Sequence, residues 1–538
     1  MPTIASSLLL IALVGLAPFA WFYAQNLHEP IQLSDVVVHA VATAASACLV
    51  FVALRAALRP TTPRLAVAVA AFVVILFNYY GAAQGLAEMG VPASLRLGVW
   101  AVLGTSAWGV AIWLGRWPAF HSFMVLFACA NLAVPVAVIA SRELPDPGPG
   151  LPLAEAYPLS GNAIWSGVAT SRPNVYWIVA DSYPNRAELI DYYGFDNSRF
   201  LAWLEERDFY VAHDSYANFS TTLLSVPTTL NMEYVFDERD LEYEIRLGEG
   251  LERGVSTWAR LAGKTNSGVN AAVVGDNRSV AFFKQLGYRY IHFEGRSFLT
   301  TRCSGYEDIC IEGELAGPSE LQYRLLSLTP LRTLLESLEV LRRVLQPRRR
   351  SASGTGIPEL GRGLARALRE GGILQDPFFL YAHISSPHRP YLNDAQCNLL
   401  ESSLDRRGNR HFIAQLQCVN RHLEELLSPI LASDPGALII LSSDHGPRLS
   451  VRRGTPLREL SDRQIRESLG ILNAFRLPPA CQSALRPNLT PVNTMRIVFA
   501  CLGGNEPRLL PPKHFIVRPD SPQRGKLHQV SLRGPEAR

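Results

Sequence analysis

The sequence lacks a strong charge of either sign: 51 Lys and Arg against 47 Asp and Glu leave a formal net charge of +4 over 538 residues. So even a balance gives no electrostatic footprint for a phosphate backbone, and no nucleic acid is expected as a partner. Cysteine is scarce, with eight in the chain. No two of them stand in C-x-x-C spacing, which excludes a structural zinc site of that kind. Internal repeats and low-complexity tracts are also missing, which excludes a solenoid or a repeat array.

Hydrophobic residues are plentiful, 48% of the chain, but they are unevenly spread. The first ~140 positions hold long stretches nearly free of charge, and the remainder has an ordinary globular composition. The spacing predicts about five membrane-spanning helices near 6–25, 35–55, 65–83, 97–115 and 119–140, each close to the ~20 residues a bilayer requires. The first has no basic n-region and no clear cleavage site, so it reads as a retained helix rather than a signal peptide. Arg55, Arg59 and Arg64 crowd the second loop, which makes that loop cytoplasmic. Counting forward from it, an odd number of spans leaves everything after residue 141 on the far side of the membrane. The six cysteines beyond that point, Cys303, Cys310, Cys397, Cys418, Cys481 and Cys501, suit an oxidising compartment. Sequential pairing is the simplest of the connectivities they allow.

The expected organisation is a transmembrane domain over 1–141, a proline-rich linker over 142–173, a catalytic domain over 174–520 and a flexible tail over 521–538. The catalytic domain opens on an apolar strand that ends at Asp181. A hydroxyl-rich stretch follows, Ser220-Thr221-Thr222-Leu223-Leu224-Ser225-Val226-Pro227, leaving a loop and entering a helix. A helix N-terminus offers unpaired N–H groups and a favourable dipole to an anion. A third apolar run, Phe378 to Ala382, ends in His383, with His388 and Arg389 just beyond. The most pointed stretch is Ala437 to Gly446, a buried-strand pattern closing on Ser443-Asp444-His445-Gly446. In open α/β sheets, chemistry gathers at the carboxyl ends of strands, and helices on both faces of a mainly parallel sheet follow from the alternating pattern. Further elements expected are a strand over Ala271–Gly275, an Arg-rich helix from Leu331 to Arg350 and an amphipathic helix from Arg410 to Leu427.

Asp181, the Asn218–Pro227 stretch, His383-x4-His388 and Ser443-Asp444-His445-Gly446 occur in an order that resembles the sulfatase-like branch of the alkaline phosphatase superfamily. The chain is most similar in layout to its membrane-anchored members, the lipid phosphoethanolamine and phosphoglycerol transferases. The resemblance implies an alkaline phosphatase-like extracytoplasmic α/β domain on a helical membrane domain, in a bacterial inner (plasma) membrane. It implies that Thr222, five positions before Pro227, is the nucleophile, with Thr221 as the alternative. It implies metal ligation by Asp181, Thr222, Asp444 and His445, a set suited to Zn2+ and open to Mn2+ or Mg2+. His388 would assist the leaving oxygen, while His383 either does the same or braces its strand. Arg389 and Arg448 bind the anionic group or line a solvated basic loop. The partners implied are a membrane lipid donor and a cell-envelope glycan or lipid acceptor.

The chain departs from the transferase pattern after Asp-His-Gly. Pro447-Arg448-Leu449 stands where an acidic residue is usual, and no His lies between His445 and His514. No Cys has the C-x-P-x-R context of a formylglycine precursor and none lies near Thr222, which argues against that route to sulfate ester hydrolysis. Two rivals to the transferase reading stay open: a hydrolase or phosphodiesterase that uses water, and a catalytically degenerate envelope-assembly protein.

Overall fold

In the computed structural model the chain divides into two compact units, Met1–Asp146 with Gly317–Arg349, and Pro147–Ala316 with Arg350–Arg538. The structure describes residues 3–26, 33–58, 62–143, 153–156, 172–234, 275–295, 305–312, 320–331, 353–370, 376–389, 391–400, 408–451, 459–518 and 526–532, with a few single residues between. The Arg-rich helix expected over Leu331–Arg350 falls mostly outside them.

The first unit is helical. It contains α1 (Ile4–Gln25), α2 (Leu33–Leu58), α3 (Thr62–Phe77), α4 (Tyr79–Glu88), α5 (Ala93–Leu114) and α6 (Pro118–Glu143). Among the described residues four helices are long and apolar enough to cross a membrane, or five if α3 and α4, bent by 51° at Asn78, form one span. α1 packs against α2, α3 and α6. The approach of α1 to α2 depends on Gly15, where a Cβ would lie 2.8 Å from the Ala44 Cα; small residues let apolar helices come this close. The 174–520 segment expected as one domain is interrupted, because Gly317–Arg349 groups with this unit. Within it, Tyr79 Oη and Thr333 Oγ1 lie 3.0 Å apart.

The second unit is built on a seven-stranded sheet. Its strands are β1 (Val175–Ala180), β2 (Tyr210–Val211), β3 (Arg289–Glu294), β4 (Ile309–Glu312), β5 (Phe378–Ile384), β6 (Leu438–Ser442) and β7 (Asn473–Arg476). Their order is β2-β7-β6-β1-β5-β3-β4. Every pairing among β4, β3, β5, β1 and β6 is parallel, and β7 and β2 add antiparallel pairings at one edge. β1, β5 and β6 are buried at every position, as a sheet covered on both faces requires.

Helices cover both faces. One face packs against α8 (Arg186–Tyr193), α9 (Ser198–Glu205), α13 (Ile357–Glu370) and α14 (Asn409–Ser433). The other packs against α10 (Thr222–Asn231), α11 (Arg278–Gln285) and α16 (Thr494–Gly503). Each large apolar side chain removed from water in these layers contributes roughly 1.5–3 kcal/mol, so the strands are anchored well below the ends that carry the polar residues. The described helices between these are α7 (Leu153–Ala156) and α15 (Asp462–Leu469), while α12 (Glu320–Ser327) belongs to the first unit.

Two expectations need correction. Residues 521–538 were expected as a flexible tail, yet Lys526–Val530 forms β9, paired antiparallel with β8 (His514–Arg518). Of the strand expected over Ala271–Gly275, the described Val273 is helical and Gly275 lies in a turn; the other three residues lie outside the described set. The cysteines pair sequentially as expected, Cys303–Cys310, Cys397–Cys418 and Cys481–Cys501.

Candidate active site at the carboxyl ends of β1, β5 and β6

Three adjacent parallel strands deliver the polar cluster, and their alternation decides its face. β1 lies between β5 and β6, with Val179 in register with both His383 and Ser442. Side chains two apart along a strand share a face. Val179 therefore shares a side with Asp181, as Ser442 does with Asp444, and His383 falls on that side through its register with Val179. This is the face on which α10 packs through Val226 and Leu230, so the N-terminus of α10 meets the cluster.

Thr222 is the first residue of α10, and Thr221 before it is extended with no capping hydrogen bond from its side chain. Thr222 Oγ1 donates to Asp444 Oδ2 at 2.5 Å and lies 3.3 Å from His445 Nε2. His445 Nε2 is 3.7 Å from Asp181 Oδ1 and 3.6 Å from Asp444 Oδ2. His383 Nε2 is 3.8 Å from Asp444 Oδ2. Ligand atoms of Asp181, His383 and Asp444 all lie within 4.8 Å of one another. Two carboxylates, two imidazoles and a hydroxyl converging on one buried spot make a donor set that fits a divalent cation of the zinc type.

The electrostatics point the same way. Burial pushes the Asp181 carboxyl up to about 8, and the neighbouring Asp444 charge adds to the rise. Burial would also raise Asp444, but His445, His383 and the hydrogen bonds from Thr222 and Ser182 outweigh it and hold that carboxyl below the ordinary range. Burial pushes His445 down to about 4 against the attraction of Asp444, so its ring is neutral at pH 7. Its Nδ1 lies 2.8 Å from the Gly446 carbonyl. With the proton on Nδ1, the Nε2 lone pair faces Thr222 and the carboxylates.

A shell of serines holds these groups. Ser182, in the left-handed region at φ 65°, donates its hydroxyl to Asp181 Oδ1 at 2.9 Å and its backbone N–H to Asp444 Oδ1 at 3.3 Å. Ser225 donates to the Asp444 carbonyl and Ser443 to the His445 carbonyl. Gly446 closes the turn: its N–H donates to the Ser468 carbonyl at 3.0 Å, and a Cβ here would lie 1.9 Å from the Glu467 carbonyl oxygen. Because that obstacle is backbone, Gly446→Ala is expected to destabilise the unit by about 1–3 kcal/mol, read as a lower melting temperature.

Of the residues singled out from sequence, Asp181, Thr222, His383, Asp444 and His445 come together. His388 stands at the rim, exposed, with its backbone N–H donating to the Asp181 carbonyl and its Nδ1 2.7 Å from the Arg389 carbonyl. Arg389 is exposed, and Arg448 is partly buried. Ser182, Ser225 and Ser443 were not foreseen. A Ser directly after a strand-ending Asp was a readable signal only for Ser182, because the other two act through side chain to carbonyl contacts across the fold.

No protein-family model matches the chain, and no curated protein does. Solved structures do. The C-terminal periplasmic domain of EcEptC from Escherichia coli is 11% identical, with 68% of this chain and 94% of that chain covered and a TM-score of 0.39. The soluble domain of lipooligosaccharide phosphoethanolamine transferase A from Neisseria meningitidis is 11% identical, with 63% and 90% covered and a TM-score of 0.37. The phosphonate monoester hydrolase SpPMH from Silicibacter pomeroyi is 13% identical, with 64% and 80% covered and a TM-score of 0.37.

Proposed function

We propose that this chain is a membrane-bound, metal-dependent enzyme of the sulfatase-like branch of the alkaline phosphatase superfamily. It transfers a phospho-substituent, of the phosphoethanolamine or phosphoglycerol type, from a membrane lipid to a cell-envelope glycan or lipid through a phospho-Thr222 intermediate. One observation carries the reading: the Thr222 hydroxyl, at a helix N-terminus, hydrogen-bonds Asp444 at 2.5 Å beside a neutral His445 and a second buried carboxylate. The apolar helices support a lipid donor. The Arg-rich second loop and the three disulfides of the α/β unit support an extracytoplasmic catalytic unit on a multi-pass protein of the bacterial plasma membrane.

In the first half-reaction Thr222 Oγ1 forms a bond to phosphorus as the bond to the lipid oxygen breaks. Asp444 holds the hydroxyl hydrogen and takes the proton, which leaves the Oγ1 lone pair free for attack. His388 enters this step with both ring nitrogens protonated: Nδ1–H stays on the Arg389 carbonyl, and the Nε2 proton passes to the departing lipid alcohol. In the second half an acceptor hydroxyl attacks phosphorus and gives its proton to His388, while the bond from phosphorus to Thr222 Oγ1 breaks and Oγ1 takes back the proton held by Asp444. Asp181, Asp444, His445 and Thr222, with His383 alongside, would hold a divalent cation, most simply Zn2+, which supplies charge stabilisation for the alkoxide and the transferred group.

A hydrolase reading keeps every role and makes water the acceptor; the exposure of His388 and Arg389 at the rim favours it. Peptide mass spectrometry on the full-length chain, purified with native lipids, tests the proposal. A mass adduct on the Thr222 peptide, absent from Thr222→Ala, is expected, and its mass names the donated group. Metal without an adduct would select the hydrolase reading. Neither metal nor adduct would overturn the enzymatic assignment and leave the envelope-assembly reading.

A further inference from the structure

The loop that leaves β5 carries His388 and Arg389 at the rim of the site, and one buried side chain holds it on both sides of that pair. Gln415, on α14, is 1% exposed. Its Oε1 accepts from the Leu392 N–H and from the Asn393 N–H, each at 2.8 Å. Its Nε2 donates to Ser386 Oγ at 2.8 Å and to Asn393 Oδ1 at 3.3 Å. A carboxamide offers two acceptor sites and two N–H donors. All of them are spent on residues just before and just after His388 and Arg389.

α14 buries Phe412, Leu416, Val419 and Leu423, and an amide beside such a layer is costly unless it is fully paired. What the amide secures is a fixed loop. One helical turn further on, Cys418 is bonded to Cys397, so the same helix holds the far end of the segment. Between the two points the Asn393 side chain donates to the Ser353 carbonyl at 2.8 Å and to the Cys397 carbonyl at 3.2 Å. On the side of the site, the His388 N–H donates to the Asp181 carbonyl at 3.1 Å, and His388 Nδ1 lies 2.7 Å from the Arg389 carbonyl. The histidine ring is therefore tied to its neighbour's carbonyl, its backbone to the end of β1, and the chain around both to α14.

We infer that Gln415 is a positioning residue for proton transfer at the leaving oxygen: through Ser386 Oγ and the Leu392 and Asn393 amides it fixes the loop that presents His388. The inference rests on the role proposed for His388 above. As the bond from phosphorus to the leaving oxygen breaks, the Nε2 proton of His388 moves to that oxygen, which requires a separation of about 2.6–3.2 Å. A loop that drifts by ~1 Å forfeits much of that transfer. Asp181, His383 and Asp444 lie at the ends of buried strands, so the cluster proposed to bind the metal does not depend on the amide. The dependence on Gln415 is greatest where the leaving anion is a strong base, because a stable anion departs without a proton. A lipid alcohol belongs to the first kind.

The test compares two probes, bis(p-nitrophenyl) phosphate and diphenyl phosphate, on the zinc-loaded full-length chain. The first releases p-nitrophenolate, the second the more basic phenolate. Gln415→Met removes all four hydrogen bonds at nearly constant length; it is expected to lower kcat/KM about tenfold or more for diphenyl phosphate and at most about threefold for bis(p-nitrophenyl) phosphate. Zinc stoichiometry should not change. Ser386→Ala removes one of the four bonds and should shift the ratio of the two rates the same way by a smaller factor, which keeps the clamp testable if Gln415→Met fails to fold. His388→Ala, measured beside them, should discriminate between the probes more strongly than either. Discrimination in His388→Ala, with the ratio unchanged in both Gln415→Met and Ser386→Ala, would overturn the inference and leave the role of His388 standing. No discrimination in His388→Ala would overturn that role and this inference with it. A parallel fall on both probes in Gln415→Met, or a fall accompanied by loss of zinc, would reduce Gln415 to a structural residue.

Discussion

Thr222→Ala should lower phosphodiester turnover by about 10³-fold or more, the scale on which removal of a nucleophile acts. Its Oγ1 is the one hydroxyl bonded to Asp444 Oδ2 and adjacent to His445 Nε2 among the described residues. Thr222→Ser keeps the hydroxyl and should recover a substantial part of the loss. Thr221→Ala should stay within a factor of a few, because Thr221 makes no side-chain cap to α10. Bound zinc, measured by elemental analysis, should persist in Thr222→Ala, since Asp181, Asp444 and His445 remain. If Thr221→Ala rather than Thr222→Ala abolished turnover, the assignment of the nucleophile would be wrong by one residue.

Asp181→Asn should have the second largest effect, on metal affinity rather than on folding. Losing a ligand should cost more than the roughly 10–100-fold that follows loss of an outer hydrogen-bond partner. The metal-free protein gives a second, opposite reading. Burial raises the Asp181 carboxyl from 3.8 to about 8 in the folded chain. Between those pH values the folded state binds a proton that the unfolded state has released, so metal-free stability falls as pH rises from about 4 to about 8. Chelator-treated wild type should therefore melt lower at pH 8 than at pH 5. Metal-free Asp181→Asn should lose most of that slope and melt higher than metal-free wild type at pH 8. Equal slopes in the two proteins would show that Asp181 does not carry the buried charge.

Much of the site was legible because local sequence and tertiary position coincide at strand ends. An apolar run that stops on a polar residue fixes both the strand and the edge where that residue lies, and this holds for Asp181, His383 and Asp444. Thr222 was legible only through the spacing to Ser225-Val226-Pro227, since a hydroxyl cluster by itself is equally a helix cap. The elements misread were those with little periodic signal. Lys526–Val530 has no apolar alternation strong enough to announce a strand, and it becomes one by pairing with His514–Arg518.

The sequence by itself determined the partition of apolar and globular regions, the polar ends of three buried strands and the residue types of the cluster proposed to bind a cation. These follow from hydrophobic periodicity, which acts over neighbouring residues. The fold alone decided that β1 lies between β5 and β6 in parallel register, which brings residues more than 200 positions apart into one hydrogen-bonded cluster. It also decided that Glu467, 19 positions beyond Arg448, would accept from the Leu449 and Ser450 N–H groups that follow that arginine. Such pairings depend on strand order and on which backbone groups are left without partners after the core has packed, and no local pattern encodes either.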